Sequence, residues 1–160
     1  MPGTSKARRA RGAAILVTLV LSGATARAAG PEVSARVAGL ESRPGGRRVV
    51  VVEMTVGAGW HVNAHLPSES FLVPTELRLR AGGGARLAVK YPDGELQRFA
   101  FWQKPLRVYA GKVVFEAELS PTGDVRGPVL LEGDVSFQAC SDTQCYPPGR
   151  VPLSTTLDPR

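Results

Sequence analysis

The pattern of apolar and polar positions along the chain predicts strands rather than helices. The segment RRVVVVEMTV (Arg47–Val56) is a nearly continuous β-branched run, which is typical of a strand buried on both faces. Residues 75–80 alternate instead, with Leu77 and Leu79 on one face and charged side chains on the other. Further strands are predicted at residues 33–40, 85–91, 112–119, 128–140 and 150–157.

Turn sequences between these runs complete the prediction of fold class. Gly- and Pro-rich turns such as AGGG, PDG and PPG recur, and after residue 28 no segment combines helix caps with a 3.6-residue period. About seven or eight short strands with turns roughly every 8–12 residues predict an all-β chain, an immunoglobulin-like antiparallel β-sandwich. The Cys–Trp–Cys pattern of antibody domains is absent, because both cysteines lie in one local stretch.

The N-terminal residues have the organisation of a secretory signal peptide. A basic stretch without acids precedes a short, largely apolar run (residues 13–21), and small residues at A-x-A spacing follow it. An uncleaved membrane anchor is the alternative, but the apolar run is shorter than the about 20 residues that a spanning helix needs. We therefore expect a signal peptide at residues 1–28 and a single domain at residues 29–160. The exported chain would be periplasmic or secreted and would not span the membrane after cleavage.

The charge balance of the mature domain is close to neutral. The whole chain has 20 Lys and Arg against 14 Asp and Glu, but five of the basic residues precede Ala28 and no acid does. The remaining balance is 15 against 14. Such a domain gives no reason to expect nucleic acid or an anionic membrane surface as a partner.

The two cysteines of the chain, Cys140 and Cys145, lie at the ends of a predicted hairpin. Cys140 ends an apolar strand, and residues 141–144 form a four-residue loop of a common hairpin length. Facing residues of such a pair have Cα atoms roughly 4.5–5.5 Å apart, which is within the range of a disulfide. In an exported protein the pair should be oxidised by default.

Three uses of this pair are open on the residues alone: a structural staple, a redox-active disulfide and a metal site. A loop this short contributes only about 2 kcal/mol as a staple, whereas strained or exposed disulfides are the easily reduced ones. Asp142 beside the pair disfavours a thiolate. His61 and His65 would complete a nominal Cys2His2 set, but in reversed order and with only loose zinc-finger spacing. We expect no metal, and His61 to be a packed or turn residue.

Three further segments could bear on the pair. Tyr146 and Pro147 begin a Tyr-Pro-Pro sequence that stiffens the exit from the hairpin and blunts its strand edge. The long segment GWHVNAHLPSESFLVPTEL is predicted to be ordered loop or a corner where the chain changes sheets. The segment RFAFWQKPL is rich in aromatic residues, which could be core residues or could cover the cysteines. These residues are Phe99, Phe101 and Trp102.

The motif CSDTQCYPP, with Gln138 before it and V-P-L after it, resembles the N-terminal periplasmic domain of the thiol:disulfide interchange protein DsbD. GWHVNAHLPSESFLVPTEL and PDGELQRFAFWQKP resemble other segments of the same domain family, so the resemblance covers roughly residues 31–157. It implies an immunoglobulin-like fold with a redox-active cysteine pair at one end. It also implies that reducing equivalents pass through this pair without a cofactor.

By position in the motif, the resemblance implies a role for each site residue. Cys145 would form mixed disulfides with partners and Cys140 would resolve them, while Phe101, with Trp102 beside it, would cap the pair. The partners would be periplasmic thioredoxin-fold proteins, with a membrane thiol reductase as a possible donor. The cysteine loop is one residue tighter than in the best-known member, and Arg98-Phe99-Ala100 replaces acidic residues before the cap. Because no membrane carrier or thioredoxin-like domain follows in this sequence, we expect the electrons to come from a separate protein.

Overall fold

The computed structural model describes residues 30–120 and 127–158. The predicted signal peptide, residues 1–28, lies outside them. Two short 3-10 turns span Pro44–Gly46 and Gly82–Gly84. The strands of the described residues are β1 (Val33–Arg43), β2 (Arg47–Val56), β3 (His61–Asn63), β4 (Glu76–Ala81), β5 (Arg86–Lys90), β6 (Glu95–Gln97), β7 (Leu106–Tyr109), β8 (Gly111–Ser120), β9 (Val129–Phe137), β10 (Ala139–Cys140) and β11 (Gly149–Leu157).

These strands form three antiparallel sheets. The first sheet has the order β1-β2-β8-β5, the second β11-β9-β4, and the third β10-β3-β7-β6. One buried cluster contains apolar side chains from all three sheets, so the sheets enclose a common core. The prediction of an all-β, immunoglobulin-like sandwich is confirmed.

The core is built from the alternating inward positions of the longest strands. On β2 and β8, Val52 faces Phe115, and both are fully buried. On the second sheet, Val135 of β9 faces Leu77 of β4 and is fully buried as well. Because the same cluster holds the inward side chains of both sheets, burial of their apolar faces is the main stabilising contribution.

The central position of β2 explains its continuous run of valines. Val49 and Val51 point away from the core and are nevertheless buried. Long charged side chains on the strands that flank β2 form ion pairs, including Arg43 of β1 with Glu116 of β8 at 2.7 Å. Their aliphatic stems can cover apolar neighbours while the charged ends stay in water. The prediction that this strand is buried on both faces is confirmed.

The third sheet was largely missed by the sequence analysis. The segment interpreted as loop or corner contains β3, whose three residues are all buried, and β6 and β7 flank the aromatic segment. Strands of three or four residues are too short to display an alternating pattern. Two buried residues of β3, His61 and Asn63, are also polar. The side-chain amide of Asn63 donates to the Val73 carbonyl at 3.0 Å, and the backbone carbonyl of Asn63 accepts from the Thr75 hydroxyl at 2.6 Å.

The predicted strand at residues 128–140 is in fact two strands. Residues up to Phe137 pair with β4 and β11 of the second sheet, whereas Ala139 and Cys140 pair with β3 of the third sheet. The chain therefore changes sheets at Gln138, immediately before the cysteines. This change of sheet places the cysteine hairpin next to β3.

Candidate functional site

The cysteine hairpin, residues 140–145, is closed by a disulfide and by backbone hydrogen bonds. Cys140 and Cys145 are disulfide-bonded, with Cα atoms 4.0 Å apart, somewhat closer than the spacing expected from facing strand residues. The Ser141 amide donates to the Gln144 carbonyl at 2.8 Å, and the Tyr146 amide donates to the Ala139 carbonyl at 2.8 Å. The predicted four-residue loop and the feasibility of the bond are confirmed.

The side chain of Ser141 organises the inside of this loop. Its hydroxyl oxygen accepts from the amides of Thr143 at 3.3 Å and Gln144 at 3.2 Å. Such a serine turn fixes a short loop without help from the rest of the fold. The geometry of the hairpin is thus encoded locally, which is why it could be predicted from the sequence.

The two sulfur-bearing residues differ sharply in exposure. Cys140 is only 3% exposed, because it belongs to β10 and pairs with β3. Cys145 lies beyond the strand and is exposed. Of the two cysteine residues, Cys145 is therefore the one accessible from solvent.

His61 is the residue that directly faces Cys140 across the β10–β3 ladder. It is 4% exposed, and its ring stacks on the ring of Phe99 with centroids 4.2 Å apart. Burial lowers the pKa of His61, and the charge of Asp142 opposes this shift. The expectation that His61 is a packed residue is confirmed, but it packs beside the disulfide, which the sequence analysis did not foresee.

The aromatic loop, residues 98–105, connects β6 and β7 and begins and ends at the pair Gln97 and Leu106. Phe99 anchors this loop in a small apolar cluster with Leu106, Val108 and Leu72, and it is 8% exposed. Phe101 stacks on Phe99 with centroids 5.3 Å apart and is 47% exposed. The loop therefore has one buried anchor and one outer aromatic ring.

Trp102, the second residue predicted to cap the pair, lies in the exposed part of this loop. Its indole contacts the Phe71 ring edge-on at 5.5 Å. A continuous series of ring contacts and strand pairing thus leads from the disulfide through His61 and Phe99 to Phe101. In this series Phe99 lies between His61 and Phe101.

Residues 66–72, which belong to the segment predicted to be ordered loop or a corner, lie beside the aromatic loop. The Arg107 amide, at the end of the loop, donates to the Ser68 hydroxyl at 2.8 Å. Lys104 lies 3.7 Å from Glu69, and Phe71 is largely exposed. The apolar run Phe71-Leu72-Val73 was the available sequence signal, but the contact between Phe71 and Trp102 could not be known without the fold.

Tyr146 holds the exit of the hairpin in place. The Tyr146 ring packs edge-on against Trp60 at 5.1 Å, and its carbonyl accepts from the Gln138 amide side chain at 3.1 Å. Pro147 is exposed. The hydrogen bond between Gln138 and Tyr146 therefore joins the chain before the disulfide to the chain after it.

The second histidine packs away from the cysteines, against Tyr91. The two rings are stacked with centroids 3.5 Å apart, and a ring nitrogen of His65 lies 3.3 Å from the Thr75 carbonyl oxygen. Among the residues that the structure describes, no group of three or more His, Cys, Asp or Glu side chains could hold a metal ion. Within the same residues, no helix is long and apolar enough to cross a membrane.

The fold and the site together define an immunoglobulin-like domain with an asymmetrically exposed disulfide at a hairpin. The family model described as the thiol:disulfide interchange protein DsbD, N-terminal, matches residues 31–155. The chain therefore belongs to this family, as its sequence motifs indicated, and the family together with the disulfide-bonded pair fits thiol–disulfide exchange. No curated protein matches the chain.

Two solved structures are similar to this fold. The N-terminal periplasmic domain of ScsB from Proteus mirabilis is 19% identical with a TM-score of 0.52, and the match covers 81% of this chain and 48% of that one. The reduced form of the Neisseria meningitidis DsbD N-terminal domain is 16% identical with a TM-score of 0.47, and the match covers 80% of this chain and 90% of that one. The chain thus spans about half the length of the ScsB chain that it matches.

Proposed function

We propose that this domain is an exported, periplasmic thiol–disulfide exchange protein that relays reducing equivalents between thioredoxin-fold proteins through Cys140 and Cys145. The observation that carries this proposal is the unequal exposure of the two cysteines. One sulfur-bearing residue is open to a partner and the other is buried against β3. A pair of this kind can form a mixed disulfide at one position and resolve it from the other.

The exchange has two steps in each direction. In the reduced domain, the Cys145 thiolate attacks a partner disulfide, forms a mixed disulfide and releases one partner thiolate. Cys140 then attacks the Cys145 sulfur, which forms the intramolecular disulfide and releases the second partner thiolate. The partner gains two electrons and the domain loses two, so no cofactor is required. Attack of a donor dithiol on the Cys145 sulfur reverses the sequence, and a membrane thiol reductase is a candidate donor.

The local structure argues against a purely structural bond. Two backbone hydrogen bonds and the Ser141 hydroxyl already close the hairpin. A disulfide across so short a loop adds only about 2 kcal/mol in the chain-entropy account. The bond therefore contributes little that the hairpin lacks, and reversible chemistry is a better reason for it.

In this proposal the aromatic loop controls access to the pair. Phe99 anchors the loop, while Phe101 and Trp102 lie in its outer part. The outer residues can move on partner docking without loss of the buried anchor. Phe101, which stacks on the anchor Phe99, would then act as the gate to the disulfide, with Trp102 and Phe71 forming the adjoining surface.

The experiment is a trap with single-cysteine variants. The probe is a purified thioredoxin-fold protein that lacks its resolving cysteine and carries a thionitrobenzoate group on its remaining one. Cys140→Ala should form a covalent complex through Cys145, which non-reducing electrophoresis detects and dithiothreitol reverses. The matched variant Cys145→Ala should react far more slowly, because Cys140 is buried. Equal reaction of both variants, or reaction of neither, would overturn the assignment.

A further inference from the structure

We propose that His61 takes up the proton of the Cys140 thiol when Cys140 resolves a mixed disulfide, and returns it when the reaction runs in reverse. This inference rests on the exchange function proposed above. It assigns to β3 a part in the chemistry that lies beyond the two cysteines and the aromatic loop.

The first support is the strand register. Cys140 and His61 are direct partners in the β10–β3 ladder. Directly opposite residues of an antiparallel pair project to the same face, with Cβ atoms about 4.5–5.5 Å apart. The imidazole therefore lies next to the residue whose sulfur must change its protonation state.

The second support is the exclusion of water from this position. Cys140 and His61 are only 3% and 4% exposed. A buried thiol ionises with difficulty, because the charged form loses its hydration. A neighbouring base that accepts the proton removes this obstacle, and histidine is the side chain best suited to exchange protons near neutral pH.

The third support is the setting of the imidazole. The Phe99 ring, which stacks on the imidazole, carries no charge. On β10, the titratable group that faces His61 in the reduced domain is the Cys140 thiol. In the cysteine hairpin the charged group is Asp142, while Arg98 and Lys104 of the aromatic loop are exposed. Burial keeps the pKa of His61 below its usual value, so the ring is neutral and able to accept a proton at neutral pH.

The proposed step is balanced. As the Cys140 sulfur attacks the Cys145 sulfur, its proton passes to a ring nitrogen of His61. The new Cys140–Cys145 bond forms, the bond from Cys145 to the partner breaks, and the electron pair leaves on the partner thiolate. The imidazolium then releases its proton to that thiolate or to solvent. In the reverse direction, Cys140 leaves as a thiolate and the imidazolium protonates it.

The test measures the resolving step alone. The reduced domain is mixed with dithiobis(nitrobenzoate), and release of thionitrobenzoate is followed by stopped-flow absorbance. The first phase reports attack by Cys145 and depends on reagent concentration. The second phase reports attack by Cys140 on the mixed disulfide and is independent of concentration. The variants are His61→Gln and His61→Phe, and His65→Gln is the matched control because His65 packs against Tyr91.

For the unmodified domain, the second-phase rate should rise with pH through the pKa of His61 and then level off. In His61→Gln it should be about 100-fold slower at neutral pH, within the usual contribution of a general base. The second-phase rate of His61→Gln should keep rising into the alkaline range, where the Cys140 thiol ionises without a base. The difference in rate between this variant and the unmodified domain should therefore become smaller at high pH. His61→Phe preserves the stacking on Phe99 and should show the same loss, whereas His65→Gln should match the unmodified domain.

A second phase with unchanged rate and pH profile in folded His61→Gln and His61→Phe would overturn the role of His61 while leaving the exchange function intact. Release of only one thionitrobenzoate per molecule of the unmodified domain would instead contradict the exchange function itself, because Cys140 would then not resolve the mixed disulfide. Far-ultraviolet circular dichroism establishes whether each variant is folded. If Gln does not fold at position 61, the Phe variant decides the question from the same two phases.

Discussion

Replacement of the loop anchor, Phe99→Ala, should destabilise the domain and loosen the aromatic loop. Phe99 is 8% exposed and packs against Leu106, Val108 and Leu72, and its ring also contacts His61 and Phe101. Phe→Ala changes in well-packed cores cost about 3–5 kcal/mol. The cluster around Phe99 is small and close to the surface, so it can partly collapse, and we expect a loss of about 3 kcal/mol.

The matched control is Phe101→Ala in the same loop. Phe101 is 47% exposed and has its ring contact with Phe99. Its removal should cost about 1 kcal/mol, which is the typical contribution of one aromatic pair. The two variants thus change the same residue type two positions apart and should differ by about 2 kcal/mol.

The assay is urea unfolding of the oxidised domain together with the rate of disulfide reduction by dithiothreitol. Phe99→Ala should lower the free energy of unfolding by about 3 kcal/mol in the urea titration. It should also speed up reduction, because the ring that covers the neighbour of Cys140 is lost. Equal unfolding free energies for Phe99→Ala and the unmodified domain would refute the reasoning that Phe99 anchors the loop.

Further predictions concern the second sheet and His61. Gly133→Ala should cost about 3 kcal/mol or prevent folding, because a Cβ there would overlap the backbone carbonyl oxygen of Arg78. Gly39→Ala should stay within about 0.5 kcal/mol of the unmodified domain in the same urea titration, since a Cβ at Gly39 meets no atom within 4 Å; similar losses for both would contradict the steric reason for glycine at position 133. Burial lowers the pKa of His61 in the folded state, so the unfolded chain binds this proton more readily. Stability should therefore fall as the pH drops below the ordinary histidine pKa of about 6.5, until the lowered pKa of the folded state is passed. His61→Gln should reduce this slope in urea titrations at a series of pH values. An unchanged slope in His61→Gln would contradict burial of His61 as its cause.

The sequence predicted the parts of the fold whose signals are local. The valine run of β2 and the cysteine hairpin depend on neighbouring residues, since β branching and a short serine-containing loop suffice to specify them. The exposure of Cys145 and burial of Cys140 did not follow from their spacing. They depend on the change of sheet at Gln138, which pairs Cys140 with His61 far earlier in the chain.

The aromatic loop shows where sequence information stops. Phe99 and Phe101 are the same residue type two positions apart, and from the sequence alone either one could be the buried anchor and the other the outer ring. The choice is made by the register of β6 and β7, which turns Phe99 toward Leu106 and Val108 and leaves Phe101 outside. The short strands that set this register have too few residues to be detected from their own pattern.

The reduction potential of the Cys140–Cys145 pair tests the central claim most directly. The purified domain would be equilibrated in glutathione and dithiothreitol buffers of known potential, and the fraction of free thiols would be measured by alkylation. The exchange function predicts a value between roughly −180 and −270 mV, where thiol–disulfide exchange proteins lie. A value below about −300 mV, which is typical of structural disulfides, would contradict it and indicate a binding or scaffold module with an inert bond.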